Sequence, residues 1–142
     1  MVAVIFDRDG TISNSMLGVL EAFGRFLIEF LGASSDISEK AMRENLGASL
    51  RTHLLRILAF SKKEISEVEF SRLIKKCDGV LHEEIIVALL FKDAVDTLPS
   101  LKDLGYDLCV SSGMLEEQLI QVVKSKGINN CFAFILGAKN GF

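Results

Sequence analysis

The sequence predicts an α/β protein: a parallel, Rossmann-like sheet with a block of helices inserted after its first strand. Three observations carry this reading. Val2–Phe6 is a continuous apolar, β-branched run, the pattern of a strand covered on both faces at the centre of a parallel sheet. Two later runs, Tyr106–Ser111 and Phe132–Leu136, each follow a helical stretch that ends in glycine. The stretch 15–90 between the first strand and these runs holds no convincing strand. The order helix–strand–helix–strand implies right-handed βαβ crossovers.

Within the insert, Leu20, Phe23, Leu27 and Phe30 alternate steps of three and four, a bundle-type helix face. Gly32 and Ser34-Ser35 break it. A second helix is expected over Glu39–Asn45 and a third over Leu50–Phe60. Ser61-Lys62-Lys63-Glu64 has the form of a capping box, and it is expected to open a helix with Phe70, Leu73, Ile74 and Cys77 on one side. A further helical stretch covers Glu83–Leu90.

Beyond the insert, Val95, Leu98, Leu101 and Leu104 recur at three-residue steps and stop at Gly105. Pro99 inside this helix predicts a kink, or a start close to Asp96. Leu115, Leu119, Val122 and Val123 make a stripe that ends near Gly127. The expected division is 1–14 with 91–142 as the α/β core, and 15–90 as a helical domain.

Composition narrows the function. An apolar fraction of 49% excludes a disordered chain, and a net charge of −3 lacks the basic face of a nucleic-acid binder. Cys77, Cys109 and Cys131 are an odd set with no close pair, unlike a disulfide framework or a zinc knuckle, so packing is their expected role. The opening apolar run reaches Asp7 at once. It is too short for a signal segment or a membrane span, and the expected location is the cytoplasm.

The chemistry-bearing stretch is Asp7-Arg8-Asp9-Gly10-Thr11, directly after the first strand. Ligands of open parallel sheets gather at the carboxyl ends of the strands. Two aspartates separated by one residue face one pocket when the chain curls out of the strand, a curl that Gly10 permits. Close carboxylates repel, so a divalent cation or a retained proton stabilises the pair. Magnesium suits the position, because it prefers hard oxygen ligands and keeps water and phosphate oxygens.

Val4-Ile5-Phe6-Asp7-Arg8-Asp9-Gly10-Thr11 resembles the first motif of the haloacid dehalogenase (HAD) superfamily, a hydrophobic strand followed by Asp-x-Asp-Gly-Thr. The resemblance implies a HAD-like core with a helical cap that closes over the site. It implies that Asp7 attacks phosphorus and that Asp9 protonates the leaving oxygen and then activates water. The Asp7 carboxylate and the Asp9 main-chain carbonyl would ligate Mg²⁺. Ser111 matches the family's second motif, with the Ser112 and Gly113 amides expected at a helix start to bind a phosphoryl oxygen. Thr11 joins them as a substrate-binding residue. Lys139 stands where the family has its third-motif lysine.

The resemblance runs along nearly the whole chain, and the chain ends at Phe142, before the place of the family's paired-acid motif. The expectation is therefore a truncated product or fragment whose core is incomplete at the C-terminus. Without a further strand on its outer side, Val2–Phe6 becomes a sheet edge that recruits another strand, with a homodimer as the expected outcome. Asn45–Ser49 and Arg51 lie on a cap segment that the resemblance turns towards the pocket, although an interhelical turn and a surface arginine are the simpler reading. His53 and His82 read as surface or packing residues, and Lys62-Lys63 and Lys75-Lys76 as solvated faces.

The function implied is a Mg²⁺-dependent phosphatase of a small phosphorylated metabolite, similar to phosphoglycolate phosphatases. A phosphomutase of the β-phosphoglucomutase type and a non-catalytic interaction module are the alternatives. Neither nucleic acid nor membrane is an expected partner.

Overall fold

The computed structural model describes residues 2–43 and 48–139. Three strands, β1 (Ala3–Asp7), β2 (Asp107–Leu115) and β3 (Phe134–Ala138), form one parallel sheet in the order β1-β2-β3. The helices are α1 (Met16–Leu31), α2 (Ser35–Arg43), α3 (Leu50–Phe60), α4 (Glu67–Val87), α5 (Lys92–Asp103) and α6 (Glu116–Ser125), with a 3₁₀ turn at Asn129–Cys131. The chain folds as two compact units. Among the described residues, those up to Met16 and those from Ile86 to Lys139 form the first, and those between Leu17 and Ile85 the second.

In the first unit, alternation along the strands decides everything. Val4 and Phe6 of β1, Leu108 and Val110 of β2 and Ile135 of β3 pack with Leu98 and Leu101 of α5 and Leu119 and Val123 of α6. Both helices therefore lie on one face of the sheet. The reason is topological: the strand order advances in one direction, and two crossovers of the same hand then deliver their helices to the same side. The other face is open at its flanks among the described residues, with Cys109 of the central strand buried between them. Ile5 is 68% exposed, Phe134 60% and Leu136 48%. The expectation that β1 is covered on both faces is thus corrected: its residues alternate between exposed and half-buried, and among the described residues it pairs with β2 alone, at the edge of the sheet.

The strand ends also differ from the sequence reading. β2 continues past Ser111 to Leu115, where it rejoins β3 through the pairing of Leu115 with Ala138, with an irregularity between. β3 starts two residues later than expected, because Asn129–Cys131 turn first. Gly137 of β3 lies against the junction of β2 and α6. A Cβ built there would come within 2.4 Å of the Glu116 Cα and 2.8 Å of the Met114 carbonyl oxygen. Helix α5 starts at Lys92, four residues before Asp96, and runs on through Pro99.

Among the described residues, the regular structure of the second unit is all helical. Phe23, Phe26 and Leu27 of α1, Leu54 and Ile57 of α3, and Phe70, Ile74 and Cys77 of α4 make its core. Helix α2 begins four residues earlier than the expected Glu39, after Ser34, whose hydroxyl accepts from the Ile37 amide at 3.3 Å. The expected Asn45 end lies outside the described residues. Helix α3 has the expected bounds.

The predicted capping box at Ser61–Glu64 is not one: Ser61 ends α3, and its amide donates to the Ile57 carbonyl. The working box is Ser66–Glu69. There the Ser66 hydroxyl accepts from the Glu69 amide at 3.3 Å, and Glu69 Oε2 accepts from the Ser66 amide at 2.9 Å. The Ser66 hydroxyl also donates to Glu69 Oε2 at 2.7 Å, and this bond, with the one from the Ser66 amide, holds the Glu69 carboxyl below its ordinary range. The stretch at Glu83 is not a separate helix, because α4 passes through Gly79 to Val87.

Lys63 is exposed, as a solvated lysine is, and its ammonium also donates to the Leu31 carbonyl at the end of α1, where a cation is favoured. Lys76 sits 3.7 Å above the centre of the Phe30 ring. His53 packs edge-on against Phe23.

Two outcomes follow from this packing. Gly137→Ala, whose methyl group meets backbone atoms, lowers unfolding stability by about 1–3 kcal/mol in urea titration. Burial, with Asp78 beside it, pushes the Cys77 thiol up to about 12. The folded chain then keeps a proton that the unfolded chain releases from about pH 9, so this contribution to stability is lost as pH rises through that window. The urea midpoint of the wild type falls more steeply between about pH 8 and about pH 10 than that of Cys77→Ala.

Candidate active site

The site is built on the turn that follows β1. The Arg8 carbonyl accepts from the amides of Thr11 at 3.4 Å, Ile12 at 3.0 Å and Ser13 at 3.0 Å, while the Gly10 amide donates to the Ser13 carbonyl at 2.9 Å. Gly10 has φ +76°, and a Cβ there would also stand 3.0 Å from Met16 Cγ. The positive φ is what calls for glycine here, and the close Met16 side chain would have to shift for any other residue. The outgoing chain is then tied to the returning one: the Asn14 amide donates to the Leu89 carbonyl, and the Phe91 amide to the Ile12 carbonyl.

This turn sets two carboxylates in different surroundings. Asp7, the last residue of β1, is exposed, and its Oδ1 accepts from the Arg8 amide at 2.8 Å. Asp9 is half-buried. Its Oδ1 accepts from Arg8 Nη1 at 2.5 Å and from the Ser15 hydroxyl at 2.5 Å. Arg8 and Ser15 are themselves buried. The sequence reading missed both residues as site components. The available signal was a cation set between two acids directly after a strand.

Ser111 is brought beside Asp7, since the two are register partners across β1 and β2. Ser112 and Gly113 are not at a helix start, contrary to expectation. They lie within β2, and α6 opens only at Glu116. The physical cause is the late rejoining of β2 to β3, which keeps the chain extended through this stretch. The Ser112 hydroxyl accepts from the Met114 amide at 3.2 Å. Lys139 is exposed and is the residue after β3. With β2 between them, β3 and β1 stand two strand spacings apart, about 10 Å. Thr11 is exposed and turns towards a shallow cavity of about 200 Å³ that it lines with Phe6, Ile12, Asp93, Ala94, Thr97 and Leu98.

The donor set suits a hard cation in kind. Asp7 offers a carboxylate, and among the described residues no backbone hydrogen bond takes the Asp9 carbonyl. Two such oxygens fill part of an octahedron, and water or phosphate oxygens are what magnesium uses for the rest. Among the described residues no group of three His, Cys, Asp or Glu side chains gathers to hold a metal.

Of the proposed cap residues, Ser49 caps α3 by accepting from the Thr52 amide. Arg51 is engaged by Glu67 at 3.3 Å, with its guanidinium 5.0 Å from the Phe70 ring centre. Asn45, Leu46 and Gly47 lie outside the described residues. No described helix is long and apolar enough to cross a membrane.

An exposed aspartate at the carboxyl edge of a parallel sheet, a second one two residues on and a serine in register have a counterpart among known proteins. The model of the haloacid dehalogenase-like hydrolases matches residues 4–142. The chain belongs to that family.

A probable phosphatase, IndB, of Dickeya dadantii is 26% identical over 138 residues, covering 95% of this chain and 58% of the relative. A phosphoglycolate phosphatase of Haemophilus influenzae is 25% identical over 140 residues, covering 95% and 62%. The chain thus spans about three-fifths of the length of these HAD-like relatives. The fold of the HAD hydrolase YfnB of Bacillus subtilis, solved with magnesium bound, superposes with a TM-score of 0.71 at 18% identity, covering 97% of this chain and 65% of that one.

Proposed function

We propose that this HAD-like chain carries the nucleophile of a Mg²⁺-dependent phosphatase acting on a small phosphorylated metabolite, with phosphoglycolate as the substrate suggested by its relatives. The observation that carries the reading is the row at the carboxyl edge of the sheet, where Asp7 and Ser111 are register partners and Asp9 follows in the turn. In this reading an Asp7 oxygen attacks phosphorus in line, and the bond to the leaving oxygen breaks as Asp9 donates its proton there. Water then attacks the aspartyl-phosphate, giving one proton back to Asp9 and releasing phosphate. The Ser111 hydroxyl donates to a phosphoryl oxygen, and Lys139 supplies positive charge to the transferring group. Asp7 and the Asp9 carbonyl would hold Mg²⁺, which when bound offsets the charge of the transferring phosphoryl group.

The relatives named as phosphatases support the reaction class, and the oxygen donors of the turn support the cation. We further read the chain as cytoplasmic, where its three unpaired thiols stay reduced. In the test, release of phosphate from p-nitrophenyl phosphate depends on added Mg²⁺, and Asp7→Asn reduces it to the buffer rate. Equal release by wild type and Asp7→Asn overturns the reading. Product analysis with a hexose phosphate separates hydrolysis from a mutase, which returns the phosphoryl group to the sugar.

A second reading rests on the edge of β1 that is unpaired among the described residues and on the exposed Ile5 beside it: a non-catalytic module in which two copies pair through that edge. Light scattering then gives a dimer for the wild type and a monomer for Ile5→Lys, which sets a charge on the shared face. A wild-type monomer at all concentrations rejects it.

A further inference from the structure

The residue between the two motif aspartates is buried, although its neighbours are not. The Arg8 side chain is 4% exposed, against 27% for Asp9. Its Nη1 and the hydroxyl of Ser15, also buried, donate to the same carboxylate oxygen, Asp9 Oδ1, each at 2.5 Å. Among the described residues no hydrogen bond takes Asp9 Oδ2. One oxygen of the acid is therefore held from two directions, and the other accepts no hydrogen bond from a described residue.

Stability alone is a weak reason for this arrangement. Taking a guanidinium out of water costs about as much as a single ion pair returns, and an apolar side chain of similar volume often serves the fold as well. What the pair does supply is direction. A carboxylate on a free side chain samples several rotamers, whereas two short, charge-assisted or hydroxyl bonds to one oxygen fix the plane of the group. Proton transfer needs that fixity, because donor and acceptor must stand within hydrogen-bond reach in the transition state.

We propose that Arg8 is a positioning residue for the acid–base step: with Ser15 it clamps Asp9 Oδ1, so that Oδ2 is the atom that exchanges the proton with the leaving oxygen and then with water. The inference rests on the phosphatase reading of Asp9. It goes beyond that reading by assigning a role to a position that the family motif leaves undefined. The clamp adds no reactant. The proton leaves Oδ2 for the leaving oxygen in the first step, and a water proton restores it in the second.

The test compares wild type, Arg8→Met, Arg8→Lys and Ser15→Ala on two substrates. p-Nitrophenyl phosphate has a leaving group that departs as an anion without help. Glycerol phosphate has an alkoxide leaving group that must be protonated. Arg8→Met lowers kcat for glycerol phosphate about 10- to 100-fold more than for the aryl substrate, with KM little changed. Arg8→Lys recovers part of the loss, because it keeps the charge but not the fork. Equal losses on both substrates overturn the proposal.

Crystal structures of the variants give a reading independent of turnover: Asp9 turns to a new rotamer, while Asp7 and Ser111 stay in place. An unmoved Asp9 in both Arg8→Met and Ser15→Ala overturns the clamp. If the wild type hydrolyses neither substrate, the phosphatase reading fails, and the rotamer of Asp9 decides on the clamp alone. If Arg8→Met does not fold, Ser15→Ala decides by the same two measurements.

Discussion

The Arg8 carbonyl accepts three consecutive amides, and the geometry of the site depends on that single acceptor. It closes the chain into a turn within one residue of leaving the sheet. The closure needs a left-handed residue at position 10, and it places the second aspartate beside the turn instead of further along the strand. The same residue sends its guanidinium inward to the Asp9 carboxylate. Backbone and side chain of Arg8 thus act on opposite ends of one short loop. Tight turns of this kind hold functional groups more firmly than long loops do, because few torsions remain free.

The sheet gives that turn its orientation. Asp7 and Ser111 are neighbours because β1 and β2 are parallel and in register over five residue pairs, from Ala3 with Asp107 to Asp7 with Ser111. The register itself is set by the face that is buried: slipping β1 by one residue would send Val4 and Phe6 into solvent and Ile5 into the helices. Packing under α5 and α6 is therefore what aligns the two polar residues at the rim. The opposite face, with Ile5, Phe134 and Leu136, plays no part in that alignment and stays open at its flanks among the described residues.

Several boundaries were decided by contacts between distant parts of the chain. Ser61 and Ser66 both stand before a glutamate three residues on, and nothing local separates them. Ser61 is claimed by the end of α3, through its bond to Ile57, which leaves Ser66 to open α4. Lys63 is exposed like Lys62, and it also serves the last turn of α1, 32 residues away in sequence. The apolar run of β2 stops at Val110, but the strand continues through Ser111–Leu115 because β3 is there to pair with its far end. Local patterning carries no record of such partners.

The sequence by itself determined the α/β class, the parallel strands, the helical insert and the acidic turn. Each of these is written in short-range terms: an apolar run, a 3.6-residue period, or a glycine where the backbone must take a positive φ. Only the tertiary structure decided that both crossover helices share one face, that Ser112 and Gly113 lie in a strand, and that Arg8 and Ser15 meet on one oxygen of Asp9. Those outcomes depend on which groups come within about 3 Å of each other after packing. A linear pattern fixes residue types and spacings, and it leaves open which way each side chain turns once the core has formed.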